Sequence, residues 1–164
     1  MKKGIVIPIL MLACLMFTSC GNKCNGYAPK GTEISWTDYN SVDAVARYFG
    51  YVNTSREHQH DTVRVTGYAL GYGDTNYYLN QYNSASLHNN KAGVVLSGDP
   101  NKTSISQGGY VIILYGNIGT MEWLKDYKAG QKIRVAGSCY ADQPMDDKGC
   151  KYTVAMRANK VELE

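Results

Sequence analysis

Five short runs of β-forming residues constrain the fold more than any other feature of this sequence. The first, DTVRVTGYALGY (61–72), alternates apolar and polar side chains, so Val63 and Val65 are expected on one buried face. Gly67 interrupts that run, as glycine often does where a strand bends at a barrel corner. The other runs are KAGVVLSGDP (91–100), GGYVIILYGN (108–117), QKIRVAGSCY (131–140) and CKYTVAMRANKVEL (150–163). The third run is apolar enough to form a strand that is buried on both faces.

Two segments have helical character. SWTDYNSVDAVARYFGYV (35–52) offers Asn40 or Ser41 as an N-cap. Its apolar face consists of Val42, Val45, Phe49 and Val52. The second helical segment, GTMEWLKDYKAGQ (119–131), lies between the third and fourth runs and ends at Gly130. By contrast, NTSREHQHD (53–61) is predicted to be a polar loop.

The order strand, strand, strand, short helix, strand, strand predicts a specific architecture. It is the order of the five-stranded oligonucleotide/oligosaccharide-binding (OB) barrel. We therefore predict a mainly β protein with a single OB-type barrel, a short N-terminal helix and a short helix between strands three and four. The alternative is another small barrel or sandwich with a similar number of strands. Residues 37–164 are assigned to this domain.

The N-terminal segment MKKGIVIPILMLACLMFTSC (1–20) predicts export and lipidation. Two lysines precede an apolar stretch that is shorter than the roughly 20 residues of a membrane-spanning helix. Its end, FTSC, is similar to a bacterial lipobox, so residues 1–19 are assigned to a signal peptide and Cys20 to the acylated position. Cys14 is a rival acceptor. Residues 20–36 are predicted to be a flexible tether, and the protein is expected at the outer membrane, facing the periplasm.

Charge limits the classes of partner. Without Lys2 and Lys3, the 17 basic residues fall to 15 against 14 acidic ones, a net charge of +1. Strong non-specific binding to nucleic acid needs a clear basic excess, which the mature chain lacks.

Export permits disulfides, and Cys139 and Cys150 flank a turn-rich segment. Both continue the inward register of their strands, so a cross-strand disulfide between them is predicted. The alternative is two reduced, buried thiols.

The strand VRVTGY and the later segment LKDYKAGQKIRVAGSCY resemble bacterial envelope lipoproteins with a tRNA-anticodon-binding-like OB domain. The similarity extends over residues 61–163. It implies the OB fold and a ligand-binding face, and it brings no catalytic residues.

The segment GDTNYYLNQYNSASLHNN (73–90) would join the first two strands, and ADQPMDDKG (141–149) the last two. These two loops bind oligonucleotides and oligosaccharides in many OB folds, and Tyr, Ser and Asn suit adaptable binding loops. The predicted ligand-binding residues are Tyr77, Tyr78, Tyr82, Arg64 and Arg134. The alternatives are that 73–90 is a solvated connector or an extra edge strand.

No sequence motif of a hydrolase, nucleotide-binding enzyme or metalloprotease is present. We therefore expect a non-enzymatic module with no catalytic residue, metal or cofactor. It is expected to bind an oligosaccharide, a nucleic-acid fragment or a peptide at the membrane that holds its lipid anchor. The alternative is a structural partner that docks another protein of the cell envelope.

Overall fold

The structure, a computed structural model, describes residues 26–70, 91–117, 119–121, 127–145 and 152–164. The strands are β1 (Tyr39–Ser41), β2 (Val63–Ala69), β3 (Lys91–Ser97), β4 (Val111–Asn117), β5 (Lys132–Pro144) and β6 (Tyr152–Leu163). The helices are α1 (Val42–Phe49), α2 (Val52–Glu57) and the 3-10 turn η1 (Ile105–Gln107).

Five of the strands close into a barrel. The sheet order is β1-β2-β3-β4-β6-β5, and an additional pairing of β2 with β5 closes the ring. β4 and β6 are parallel, whereas the other four pairings of the ring are antiparallel. Five strands in this order form an OB-type barrel, so the predicted mainly β fold is confirmed. Residues 122–126 of the helix predicted over 119–131 lie outside the described residues, and the flanking residues 119–121 and 127–131 form turns and loop.

The barrel interior follows the predicted pattern of alternation. β2 buries every second side chain, and Val63 and Val65 are fully buried. In β4, residues 111–116 are all buried, as predicted for a strand covered on both faces. Ile112 and Leu114 enter the main core, and Ile113 belongs to a separate apolar cluster on the opposite face.

Helix α1 covers one end of the barrel. The Ser41 side chain caps the helix by accepting a hydrogen bond from the backbone N–H of Ala44 at 3.2 Å. Ser41 is one of the two N-cap residues predicted from the sequence. Val42, Val45 and Phe49 are fully buried. A Cβ atom on Gly67 would lie 2.7 Å from Cγ2 of Val42. Gly67 therefore gives the helix room to approach β2.

The prediction of a polar loop over residues 53–61 is wrong, because Val52–Glu57 form α2. Tertiary hydrogen bonds hold this polar helix. Its Ser55 hydroxyl accepts from the backbone N–H of Ala141 at 2.7 Å, and its Thr54 hydroxyl accepts from that of Ala28 at 2.7 Å.

Part of the predicted tether is joined to the same helix. The carbonyl oxygen of Gly26 accepts hydrogen bonds from the backbone N–H groups of Asn53 and Thr54, at 2.6 and 3.3 Å. Residues 26–36 are thus attached to the domain, while residues 20–25 of the predicted tether lie outside the described residues.

A glycine also permits the closest approach of two barrel strands. The pairing of β5 with β6 shifts register between Ala136 and Gly137. A Cβ atom on Gly137 would lie 2.1 Å from the carbonyl oxygen of Arg157, a distance that no side chain tolerates. Glycine is therefore required at this irregularity of the sheet.

Candidate functional site

The predicted ligand-binding residues fall into two groups. Tyr77, Tyr78 and Tyr82 lie outside the described residues. Arg64 and Arg134 lie on the neighbouring strands β2 and β5, where Arg64 is opposite Ala136 and Thr66 is opposite Arg134. Since Val63 and Val65 point inward, both arginines occupy the outer face of the barrel.

Both arginines make contacts within the domain. The Arg64 guanidinium donates hydrogen bonds to the carbonyl oxygens of Trp36 and Thr37, at 3.2 and 3.0 Å. Arg134 forms an ion pair with Glu164 at 2.5 Å and lies 5.1 Å from the centre of the Tyr39 ring. These contacts fasten the N-terminal segment and β1 to the barrel.

The predicted covalent sites are mostly beyond the described residues, which include neither Cys20 nor Cys150. Cys139 is fully buried with a free thiol, and burial raises the pKa of that thiol. Its partner across the sheet is Met156. Cys150 lies outside the described residues, so the disulfide between Cys139 and Cys150 stays a prediction.

A groove beside α1 and the loop 98–110, which joins β3 to β4, is the best-formed candidate site. It consists of three adjoining cavities of about 210, 270 and 630 Å³, and Tyr110 lines all three. We call it the Tyr110 groove. Its principal residues are Asp43, Ala46, Arg47, Ser97, Asp99, Lys102, Tyr110, Met145 and Tyr152.

A buried lysine marks the polar end of the groove. Lys102 is only 6% exposed, and its ammonium donates a hydrogen bond to the carbonyl oxygen of Gly108, its one hydrogen-bond acceptor among the described residues. Burial lowers the pKa of Lys102, and the carboxylates of Asp99 and Asp43 act in the opposite direction. An ammonium has three N–H donors, so this one has donors left for a ligand.

The loop that carries this lysine is shaped by its own side chains. The backbone N–H of Asp99 donates to the Ser97 hydroxyl at 3.0 Å. The carboxylate of Asp99 in turn accepts from the backbone N–H of Asn101 at 2.9 Å. These bonds fix the direction of the chain before Lys102.

The second half of the loop is fixed in the same way. The side-chain oxygen of Gln107 accepts from the backbone N–H groups of Thr103 and Ser104, at 2.8 and 3.1 Å. Gly108 and Gly109 follow with φ of 75° and 82°, which glycine adopts without strain. The loop that forms the polar end of the groove is therefore held in its conformation by its own hydrogen bonds, without a ligand.

The other end of the groove is aromatic and apolar. Tyr110, Tyr152 and Met145 line it, and Met145 is 56% exposed. The guanidinium of Arg47 lies 5.3 Å from the centre of the Tyr110 ring. Met145 belongs to the predicted ligand loop 141–149, whose residues 141–144 instead belong to strand β5. The groove therefore includes the residue that directly follows this strand.

Sequence reasoning missed Lys102, Asp43 and Tyr110. The turn signals SGDPN and QGGY around the lysine indicated a loop, but a lysine in a polar loop is ordinarily solvated. Lys102 and Asp43 of α1 line the same cavity although they are distant in the sequence, and no local pattern reveals that proximity.

Neither a metal site nor a membrane-spanning helix occurs among the described residues. They contain no group of three His, Cys, Asp or Glu side chains placed to hold a metal ion, and no helix long and apolar enough to cross a membrane. His58 is bonded to Asp61 at 2.8 Å and lies against the Trp36 ring.

No protein-family model and no curated protein matches this chain. Among solved structures, it is similar to a putative aspartyl-tRNA synthetase from Leishmania major Friedlin, with 11% identity and a TM-score of 0.45, over 84% of this chain and 23% of that one. It is also similar to the aspartyl tRNA synthetase from Entamoeba histolytica, with 10% identity and a TM-score of 0.43, over 77% of this chain and 21% of that one.

A third similar structure is OBody AM3L09 bound to hen egg-white lysozyme, with 10% identity and a TM-score of 0.39, over 65% of this chain and 84% of that one. The chain spans less than a quarter of either synthetase. These similarities are too low to transfer an activity or a partner to this chain.

Proposed function

We propose that this protein is a non-enzymatic binding module of the bacterial cell envelope, anchored in the membrane through a lipid on Cys20. It holds an oligosaccharide, a nucleic-acid fragment or a peptide in the Tyr110 groove. The observation that carries the proposal is the buried ammonium of Lys102 at the wall of a cavity of about 630 Å³.

The energetics of Lys102 support a role in binding. A buried ammonium loses its hydration, and a single carbonyl acceptor replaces little of it. A residue that costs stability in the empty domain is typical of a functional position. The cavity also falls within the range of about 300–1,000 Å³ found for small-molecule and cofactor sites.

The proposal is tested with the full-length lipidated protein in detergent. Its binding is measured against a printed glycan array, a pool of single-stranded oligonucleotides and a random peptide library. We expect retention of one of the three classes, and loss of that retention in Lys102→Met. Lys128→Met is the matched control, because Lys128 is exposed and does not line the groove. Retention of none of the three classes would contradict the proposal, as would equal retention by both variants.

One observation favours the alternative, an assembly partner of another envelope protein. β1 is an edge strand, and among the described strands only β2 pairs with it. Trp36 and Tyr39, beside it, are 37% and 40% exposed. Photo-crosslinking from Tyr39 in intact cells should then capture a specific protein, while the groove variant Lys102→Met captures the same one.

A further inference from the structure

We infer that the ligand of the Tyr110 groove is a neutral oligosaccharide of at least two sugar units. This inference rests on the proposed function and selects one ligand class from it. Hydrogen-bonding chemistry, charge and the shape of the groove each support the choice.

The polar end of the groove combines donors with acceptors. The Lys102 ammonium only donates hydrogen bonds, and the carboxylates of Asp43 and Asp99 only accept them. A sugar hydroxyl does both, so neighbouring hydroxyls of one ring can satisfy the ammonium and a carboxylate together. The carboxylate of Asp43 lies close to Gly98, which lines the same cavity: a Cβ atom added to Gly98 would be 3.3 Å from the carboxylate oxygen. Asp43 therefore points toward the polar end of the groove.

The charges of the described groove residues balance. Lys102 and Arg47 are opposed by Asp43 and Asp99, which gives a formal charge of zero. Single-stranded nucleic acid is ordinarily bound in a positively charged groove that follows its phosphates. Two carboxylates beside the buried Lys102 would repel such a chain. A neutral ligand meets no such opposition.

The apolar end suits the rest of the ligand. Tyr110 and Tyr152 present amphipathic rings, and Met145 adds an exposed apolar side chain. Sugar rings have C–H faces that pack on such surfaces and hydroxyl edges that do not. The polar and apolar cavities are separate but adjoin at Tyr110, so a ligand of two or more sugar units can occupy both.

A peptide is less well matched. Extended peptides commonly bind by adding a strand to a free sheet edge. At the polar end, Leu96 and Ser97 of β3 pair with both β2 and β4, and β4 pairs also with β6. Neither strand therefore offers a free edge to an incoming peptide at that end of the groove.

The test measures the full-length lipidated protein in detergent against an array of neutral glycans, heparin-derived oligosaccharides and a twelve-residue thymidine oligonucleotide. The best neutral glycan is then titrated by calorimetry. We expect Lys102→Met to weaken binding on the order of tenfold or more, because the loss of a hydrogen bond to a charged group typically lowers affinity by at least that factor. Asp99→Asn keeps an oxygen for the N–H of Asn101 and should weaken binding in the same direction.

The matched control for the second variant is Asp61→Asn, because Asp61 is bonded to His58 and does not line the groove. It should bind the glycan like the unaltered protein. Binding of the oligonucleotide or of heparin fragments, with no neutral glycan bound, would overturn the inference and leave the proposed binding function standing. Glycan binding that both groove variants retain would overturn it as well. Binding of none of these probes would overturn the inference, and failure of the peptide library as well would remove the proposed function itself.

Discussion

The ammonium of Lys102 donates a hydrogen bond to the carbonyl oxygen of Gly108, six positions further along the same loop. This bond crosses the loop between β3 and β4, and the lysine that makes it is buried. The loop therefore connects β3 to β4 and also forms one wall of the Tyr110 groove.

The pH dependence of stability should reveal this burial. Burial lowers the pKa of Lys102 in the folded protein below its ordinary value of about 10.4. Between the folded pKa and about 10.4 the unfolded chain binds more protons, so the free energy of unfolding rises with pH across that window. Lys102→Met should remove this rise and leave stability near neutral pH unchanged or higher. Urea unfolding of both proteins at several pH values measures it, with Lys128→Met as the control. A loss of more than about 1 kcal/mol at neutral pH would show instead that the bond to Gly108 stabilises the loop.

Gly137→Ala should destabilise the barrel strongly. The new methyl group would meet the carbonyl oxygen of Arg157 at 2.1 Å, so β5 and β6 must separate, at a cost of about 1–3 kcal/mol. Thermal unfolding measures the loss. Gly119→Ala is the matched control, because a Cβ atom there would meet nothing within 4 Å. Equal melting temperatures for the two variants would mean that the two strands are not held at this distance.

Cys20→Ala should yield a protein that carries no lipid. Without acyl chains the protein should leave the detergent phase in a two-phase partition, because the chains supply its stable membrane binding. Uptake of labelled fatty acid is the second measurement. Normal labelling of the variant would contradict acylation of Cys20 and would make Cys14 the candidate acceptor.

Cys139 should be inert in the folded protein. Its thiol is buried and burial raises its pKa, so neither access nor thiolate is available to an alkylating reagent. After denaturation, alkylation without any reducing agent, detected by mass spectrometry of the exported protein, would show a free thiol and contradict the predicted disulfide. Alkylation only after reduction, together with a linked peptide pair, would establish the predicted disulfide with Cys150.

Replacing Tyr77, Tyr78 and Tyr82 together by alanine should change the melting temperature little. The sequence places these residues in a binding loop, and exposed substitutions usually cost within about 0.5 kcal/mol each. The same variant should bind less of the ligand found for the Tyr110 groove. A large drop in stability would show that the segment belongs to the core, and unchanged binding would make it a connector.

Local sequence patterns were sufficient to predict the barrel strands and α1. The alternation in β2 identifies Val63 and Val65 as core residues, and the spacing of Val42, Val45 and Phe49 identifies the buried face of the helix. Such signals are local, so a single sequence displays them.

The missed elements depend on contacts between distant residues. The hydroxyl of Ser55 in α2 bonds to Ala141, 86 positions away, and β1 is three residues long and exists through its pairing with β2. The Tyr110 groove is similar, because Asp43, Lys102 and Met145 come from three separate parts of the chain. Their proximity is a result of the closed barrel.

The bonds from Asn53 and Thr54 to the carbonyl oxygen of Gly26 limit how far the domain can stand from a membrane. Six peptide units separate Cys20 from Gly26, and fully extended they reach at most about 20 Å. If the proposed lipid is present on Cys20, the barrel would be held within that distance of the bilayer surface. A ligand would then have to come that close to the membrane to be bound.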